Sequence, residues 1–134
     1  MILLKALAGS SLMWESYGRA APQWYIDEFE AYIDAGESPE PLSDNIQSHV
    51  AATVEHYKGK NTNYKLYNEP IHNEWYRANY DDIWNKTIQA ARQVDPNVVL
   101  GINDYEILSA DMGRCMVDLM DGYEFDYIGV QSLG

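Results

Sequence analysis

Short extended runs of apolar residues alternate along the chain with segments whose apolar residues recur at helical spacing. Four runs are predicted strands, at 8–14, 64–67, 98–102 and 125–130. Three segments are predicted helices, from a Ser43 cap to Gly59, at about 80–94, and from a Ser109 cap to Gly122. Because strands that alternate with helices usually pair in parallel, the pattern predicts an α/β fold.

The segment between the first strand and the first helix has a weaker pattern. Pro22 and Trp24 predict the start of an irregular connection, and the acid-rich residues 27–30 indicate a solvated helix face rather than a calcium loop. Further along, Cys115 is the one cysteine and lies beside Met116 in an apolar helical pattern. The sequence therefore predicts a buried thiol and excludes an internal disulfide.

Polar side chains follow two of the predicted strands directly. Asn68 and Glu69 come after the second strand, and Asn103-Asp104-Tyr105 ends the third. A carboxylate beside an amide at the C-terminal end of a barrel strand is typical of a catalytic acid presented to a ligand. Glu69 is therefore the candidate acid, His72 a candidate for the lining of the cleft, and Asp104 a structural residue that accepts hydrogen bonds from loop amides.

Composition narrows the ligand class. Eleven Tyr and four Trp stand against two Phe, and rings with a polar edge suit stacking on sugars, although about half of them are expected to fill the core. Trp75 and Tyr76, predicted to lie in a loop after Glu69, fit either role. A net charge of −12 disfavours nucleic acid and anionic membranes as partners.

No cofactor is predicted. The three histidines lack metal-ligand spacing, and the chain has neither a phosphate-binding glycine loop nor a cysteine cluster. No segment has the roughly 18 apolar residues that a membrane span requires. The apolar residues 1–12 are interrupted by Lys5, so a signal peptide is not predicted.

The strand-end motifs, taken in order, resemble those of glycoside hydrolase family 10, the xylanases. That family carries a strand of the Trp-Asp-Val-Val-Asn-Glu type, then an Asn-Asp-Tyr, then an Ile-Gly-(Ile/Val)-Gln-Ser-His segment. The corresponding stretches here are Tyr64-Lys65-Leu66-Tyr67-Asn68-Glu69, Asn103-Asp104-Tyr105 and Ile128-Gly129-Val130-Gln131-Ser132-Leu133. Leu12-Met13-Trp14 with Pro22-Gln23-Trp24 resembles an earlier segment of the same family.

The resemblance implies that residues 1–134 are a partial catalytic domain. The implied fold is a partial (β/α)8 barrel of about four parallel strands with three intervening helices, equivalent to strands three to six. It implies retaining hydrolysis of β-1,4-xylan or a related polysaccharide, and secretion of the parent protein. Glu69 corresponds to the general acid/base and Asn68 to the residue that holds the sugar 2-hydroxyl. Trp14, Tyr105 and Gln131 correspond to substrate-lining positions.

Several positions depart from the family pattern. Ser10, Glu15 and Leu133 stand where the family has His, and Lys65 replaces an Asp. The nucleophilic Glu of the family belongs to strand seven, beyond the last residue of this sequence, so these residues alone are expected to hydrolyse little. The alternative hypothesis is a non-catalytic half-barrel that binds polysaccharide or self-associates through its open sheet edges.

Overall fold

The computed structural model describes residues 11–14 and 21–131, apart from the side chain of Trp14, and within them a four-stranded sheet packs against helices. The strands are β1 (Ser11–Trp14), β2 (Asn63–Asn68), β3 (Val99–Tyr105) and β4 (Tyr127–Gln131). The α-helices are α1 (Gln23–Asp34), α2 (Ser43–Tyr57), α3 (Trp75–Asn79), α4 (Ile83–Val94) and α5 (Ala110–Gly122), and a short 3-10 turn, Glu40–Leu42, precedes α2.

The strands lie side by side in chain order, and each neighbouring pair is parallel. One row of partnered residues crosses the sheet near its C-terminal edge, made of Trp14, Asn68, Asn103 and Gly129. Because parallel strands all end at the same edge, the loops that follow them converge there. Within the described residues, β1 and β4 are each paired on one side only.

Tyr67 of β2 shows how the helices pack on one face of the sheet. Its buried ring stacks on Trp84 of α4 with ring centroids 5.1 Å apart. Its hydroxyl donates to Thr87 Oγ1 at 2.8 Å, and Thr87 donates in turn to the carbonyl oxygen of Ile83 at 2.8 Å. A buried aromatic whose hydroxyl is satisfied contributes both apolar area and a defined orientation, which fixes α4 against the sheet.

The opposite face carries a close contact between β3 and β4. Tyr127 lies across Gly101, and a β-carbon at Gly101 would sit 2.4 Å from the tyrosine ring. Glycine is therefore required at this position for the ring to lie flat on the strand. Burial, with the Asp126 carboxylate adding to it, raises the pKa of Tyr127 to about 12.

The predicted four parallel strands and the partial α/β barrel architecture are confirmed, and the described strands differ from the predicted ranges only at their ends. The irregular connection predicted from Pro22 is wrong, because α1 occupies Gln23–Asp34. Proline is tolerated at a helix N-terminus because the first N–H groups of a helix have no intrahelical acceptor, so the N–H that proline lacks is not missed. Tyr25 and Phe29, four residues apart, bury one face of α1, while the acidic residues between and after them are exposed.

Two other local predictions also need correction. The loop expected around Trp75 contains the short helix α3, in which Tyr76 is buried and Trp75 packs on Phe29 with centroids 4.9 Å apart. The helix predicted to begin near residue 80 begins at Ile83, because Asp82 adopts a left-handed backbone conformation with φ 48°. Trp75 and Tyr76 therefore pack within the protein and do not form an exposed aromatic surface.

Cys115 is exposed, so the predicted buried thiol is wrong. In α5 the buried residue is Met116, and its neighbour Cys115 is rotated about 100° round the helix, toward solvent. The predicted Ser109 cap is confirmed by a 3.4 Å hydrogen bond that its Oγ accepts from the Met112 amide. Ser43, in contrast, is the first residue of α2 and makes no side-chain cap.

A candidate active site at the strand ends

Glu69 follows the last residue of β2 and has a left-handed backbone, with φ 59°. Its N–H donates to the carbonyl oxygen of Asn103 at 2.7 Å, and its own carbonyl oxygen accepts from the Asn73 amide at 3.0 Å. These bonds fix a conformation that costs a residue with a β-carbon about 1–3 kcal/mol and that recurs at functional sites. The half-buried side chain thus leaves the sheet at a defined point.

An amide network lies directly beneath Glu69. Asn68 is buried, and its Oδ1 accepts from Asn103 Nδ2 at 3.0 Å and from Gln131 Nε2 at 3.2 Å. The three residues belong to β2, β3 and β4, so the network joins three strand ends. With Oδ1 engaged, the NH2 group of Asn68 is left to donate to a ligand.

Asn103 contributes an acceptor to the same place. Its side chain is 2% exposed, and its Oδ1 has no hydrogen-bond partner among the described residues. Gly129 lies alongside, where a β-carbon would come within 2.9 Å of Asn103 Cβ. A buried unpaired oxygen is costly, and Asn103 Oδ1 is such an oxygen beside the Asn68 amide.

Asp104 organises the loop behind the network and is fully buried. Its Oδ2 accepts from the amides of Ile71 and His72 at 2.8 and 3.4 Å, and its Oδ1 accepts from the amide of Tyr105 at 2.8 Å. These bonds tie the loop after β2 to the end of β3. Asp104 therefore accepts hydrogen bonds from loop amides, as predicted.

Tyr105 and His72 lie together at the mouth of the site. Their rings stack with centroids 3.6 Å apart and planes inclined by 15°. Partial burial and the nearby carboxylates of Glu69, Asp104 and Glu106 raise the pKa of the Tyr105 hydroxyl. The hydroxyl therefore stays protonated and can donate a hydrogen bond next to the candidate acid.

The structure brings five of the six sequence-predicted site residues to one edge of the sheet, namely Glu69, Asn68, Tyr105, Gln131 and His72. The sixth, Trp14, ends β1 and pairs with Asn68, but its side chain lies outside the described residues. The departures at Ser10, Glu15 and Leu133 also lie outside them.

Lys65 lies three residues before Asn68 on β2, nearer the N-terminal end of the strand. It is half-buried and pairs in register with Ser11 of β1 and Gly101 of β3, on the face where Tyr127 lies. No carboxylate forms an ion pair with it among the described residues. The substitution therefore places a cation below the candidate site without a described counterion.

Glu106 is a site residue that the sequence analysis did not identify. It follows the last residue of β3 and has φ 60°, as Glu69 follows β2 with φ 59°. The signal was available, because both glutamates come directly after an Asn-containing strand end. Its side chain is 65% exposed, and its Oε2 lies 3.8 Å from His72 Nε2.

Within residues 11–14 and 21–131, no group of three or more His, Cys, Asp or Glu side chains has the arrangement of a metal site. In the same part of the chain, none of the helices combines the length and apolar character needed to cross a membrane. The donors and acceptors at the strand ends are carboxylate, amide, imidazole and phenol groups, which suit a polyhydroxylated ligand.

Comparison with known proteins finds relatives that are endo-1,4-beta-xylanases. Endo-1,4-beta-xylanase 3 of Hypocrea jecorina is 28% identical over 118 residues, covering 82% of this chain and 30% of that protein. Endo-1,4-beta-xylanase A of Xylanibacter ruminicola is 27% identical over 136 residues, covering 92% of this chain and 35% of the relative. The chain thus spans about a third of the length of these relatives.

Solved structures give the same fold. Xylanase XynB from Paenibacillus barcinonensis, complexed with a conduramine derivative, is 22% identical with a TM-score of 0.71, over 91% of this chain and 39% of that one. A xylanase 10C variant from Cellvibrio japonicus, in complex with xylopentaose, has a TM-score of 0.70 at 22% identity, over 90% of this chain and 26% of that one. The model of glycosyl hydrolase family 10 matches residues 4–134, and the chain therefore belongs to that family.

Proposed function

We propose that these residues supply the acid/base half of a xylanase active site, with Glu69 as the general acid/base. The observation that carries the proposal is the position of Glu69, locked by its hydrogen bond to Asn103 above the Asn68 amide network. In a retaining mechanism the acid first protonates the glycosidic oxygen and then takes a proton from the attacking water. A rigid backbone keeps one carboxyl group in place for both steps.

The neighbouring side chains are assigned to sugar binding. Asn68 donates to the 2-hydroxyl of the sugar that is cleaved, an interaction that strengthens in the transition state. Gln131 holds Asn68 in the required orientation. Tyr105, His72 and Trp14 line the cleft around the acid, and the substrate is β-1,4-xylan or a related polysaccharide.

Retaining hydrolysis also needs a nucleophilic carboxylate, about 5–5.5 Å from the acid/base. The family resemblance places that nucleophile on strand seven of the barrel, whereas β1 to β4 correspond to strands three to six. The strand that carries it would lie beyond β4 in the closed barrel. Because the substrate is an extracellular polymer, we expect the parent protein to be secreted.

Glu69→Gln tests the assignment in the polypeptide that carries these residues. We expect kcat/KM on xylan to fall about 10²–10⁴-fold, because glutamine cannot protonate the leaving oxygen. The kcat/KM for an aryl xyloside with a strongly acidic phenol should fall much less, since that leaving group departs without protonation. The measurement is the ratio of the two losses in kcat/KM, because kcat on the aryl xyloside also depends on the second step, in which Glu69 is the base.

Glu28→Gln is the matched control, because Glu28 is an exposed glutamate on α1 and is not part of the hydrogen-bond network at the strand ends. It should leave both activities unchanged. Full xylan hydrolysis by Glu69→Gln would refute the assignment. An equal loss on both substrates would indicate a structural defect rather than a missing proton donor.

A different observation favours a second function. In it, the chain is a half-barrel that self-associates or binds polysaccharide without cleaving it. Among the described residues both sheet edges lack a partner strand, and Val130 on the edge strand β4 is 53% exposed. Unpaired, apolar strand edges promote pairing with another chain. Light scattering distinguishes the cases, because a defined dimer supports self-association and a strict monomer contradicts it.

A further inference from the structure

His72 is held on two sides in the loop that follows Glu69. Its Nδ1 lies 2.5 Å from Oδ1 of the fully buried Asp104. Its ring lies flat on Tyr105, at a centroid distance of 3.6 Å. Such an imidazole has little freedom to rotate, so the direction of its second nitrogen is fixed.

The hydrogen bonds of Asp104 decide which nitrogen of His72 is free. Backbone amides of Ile71 and Tyr105 can only donate, so the Asp104 oxygens that they contact act as acceptors. Nδ1 of His72 then carries the hydrogen that Asp104 accepts. In the neutral tautomer that this bond selects, Nε2 carries the lone pair and can accept from a donor outside the protein.

Glu106 places a second acceptor next to this nitrogen. Its Oε2 lies 3.8 Å from Nε2, which is longer than a direct hydrogen bond. The left-handed backbone at Glu106 directs the side chain from the end of β3, as the same conformation does for Glu69 at the end of β2. Tyr105, the last residue of β3, precedes Glu106 and stacks on His72. The two acceptors therefore lie at the same edge of the sheet as the candidate acid.

We propose that Nε2 of His72 and Oε2 of Glu106 form an acceptor pair for two hydroxyls on neighbouring carbons of a sugar bound beside Glu69. Each hydroxyl donates to one acceptor, and the spacing leaves room for both oxygens of such a diol. This inference rests on the proposed function and adds a specificity-determining contact to it. One face of Tyr105 is covered by His72, so its hydroxyl and remaining surface are what the sugar meets.

Binding of xylotriose, measured by calorimetry, tests the pair. A Glu69→Gln background slows cleavage during the measurement. Glu106→Gln in this background should weaken binding about tenfold, because a neutral amide replaces a charged acceptor. His72→Phe, which preserves a ring over Tyr105 but has no acceptor nitrogen, should give a similar loss. The exposed Glu55 on α2 provides the control variant Glu55→Gln, for which affinity should not change.

Deoxygenated xylotrioses, each lacking one ring hydroxyl, separate a direct contact from a structural effect. One of them should bind the background protein about tenfold more weakly than xylotriose does. Glu106→Gln, in contrast, should bind that deoxygenated sugar and xylotriose equally, because the contact is already lost. A purely structural role for Glu106 predicts instead that the two losses multiply. His72→Phe can disturb folding because it removes the imidazole donor from the buried Asp104 carboxylate, which keeps only its backbone amide donors. The exposed Glu106 therefore decides the test.

Three outcomes would overturn the pair: no effect of Glu106→Gln on affinity, losses that multiply for every deoxygenated sugar, or no binding of xylotriose at all. The proposed function is tested by a different quantity, the hydrolysis of xylan by Glu69→Gln. Full hydrolysis by that variant would refute Glu69 as the acid. In that case the affinities are measured with a thio-linked xylotriose, which is not hydrolysed, so the two failures are distinguishable.

Discussion

Glu69 and Glu106 each occupy the first position after a strand, with φ 59° and 60°. A left-handed conformation at a residue with a β-carbon is retained where neighbouring bonds enforce it, here the bond from the Glu69 amide to Asn103. The result is a pair of carboxylates aimed from adjacent strand ends. At the scale of single residues, backbone conformation directs the chemistry as much as residue type does.

Tyr127 gives a prediction of pH dependence. Burial raises its pKa to about 12 in the folded chain, against about 10 in an unfolded one. The native state therefore holds the phenolic proton more tightly, and this contribution to stability is complete below pH 10 and lost as the pH rises to 12. We expect it to be about 1 kcal/mol, because water reaches part of the side chain.

Urea unfolding at pH 9 and pH 11.5 measures this contribution. Tyr127→Phe keeps the ring over Gly101 but has no proton to lose, so its free energy of unfolding should fall less between the two pH values than that of the parent chain. Tyr57→Phe is the control, since Tyr57 is 45% exposed. An identical pH dependence in Tyr127→Phe and the parent chain would contradict the assignment.

The helices differ in how many of their residues are buried. Helices α2 and α4 each bury at least four residues, whereas α5 buries Met116 alone among its described residues. On α5, Val117 is 52% exposed. Since packing rather than propensity supplies most helix stability in proteins, we infer that α5 opens more readily than α2 and α4.

A substitution at Gly101 tests how much the contact between β3 and β4 contributes to the free energy of unfolding. Gly101→Ala would place a methyl group 2.4 Å from the Tyr127 ring, so the ring or the strand must shift. Overpacking of this kind typically costs about 1–3 kcal/mol. The measurement is the free energy of unfolding in urea.

The matched control is Gly122→Ala at the end of α5, where a β-carbon would meet no atom within 4 Å. That substitution should be neutral or slightly stabilising, since alanine favours helix. If Gly101→Ala were as harmless as Gly122→Ala, the close approach of Tyr127 would be disproved.

At the scale of the whole molecule, the described residues form a four-stranded segment of an architecture that closes with eight strands. Its inner face carries the amide network and Tyr127, and its edge strands β1 and β4 have no second partner among the described residues. Eight strands would bury that face and both edges together. In the proposed function, the same surface would bind substrate at its rim and close the barrel below.

We expect the 134-residue chain by itself to associate with increasing concentration, and more strongly at 0.5 M than at 0.05 M salt. A net charge of −12 repels like copies, and salt screens that repulsion. Sedimentation velocity at several concentrations measures the association.

Val130→Lys on β4 should weaken this association, because a charged side chain on an edge strand disfavours pairing. Ile33→Lys on α1 is the control, since Ile33 is similarly exposed at 50% and is not part of the sheet. Equal behaviour of the two variants would show that β4 is not the associating edge.

The sequence alone determined the alternation of strands and helices and the order of motifs at the strand ends. These signals are local, because a buried parallel strand needs a short apolar run and a helix needs apolar residues at helical spacing. Asn68 and Glu69 could be identified for the same reason, since both lie within one motif. Helix α1 and the exposure of Cys115 were misjudged, because a few buried residues decide which face of a weakly patterned segment turns inward.

Only the tertiary structure decided which of these residues meet. The register of three strands brings Gln131 to Asn68, sixty-three residues apart in sequence, and brings His72 to Asp104, thirty-two apart. The left-handed backbone of Glu106 depends on the loop that follows β3, and no local propensity of glutamate favours it. Contacts of this kind depend on how separate segments pack, which the pattern of any one segment does not contain.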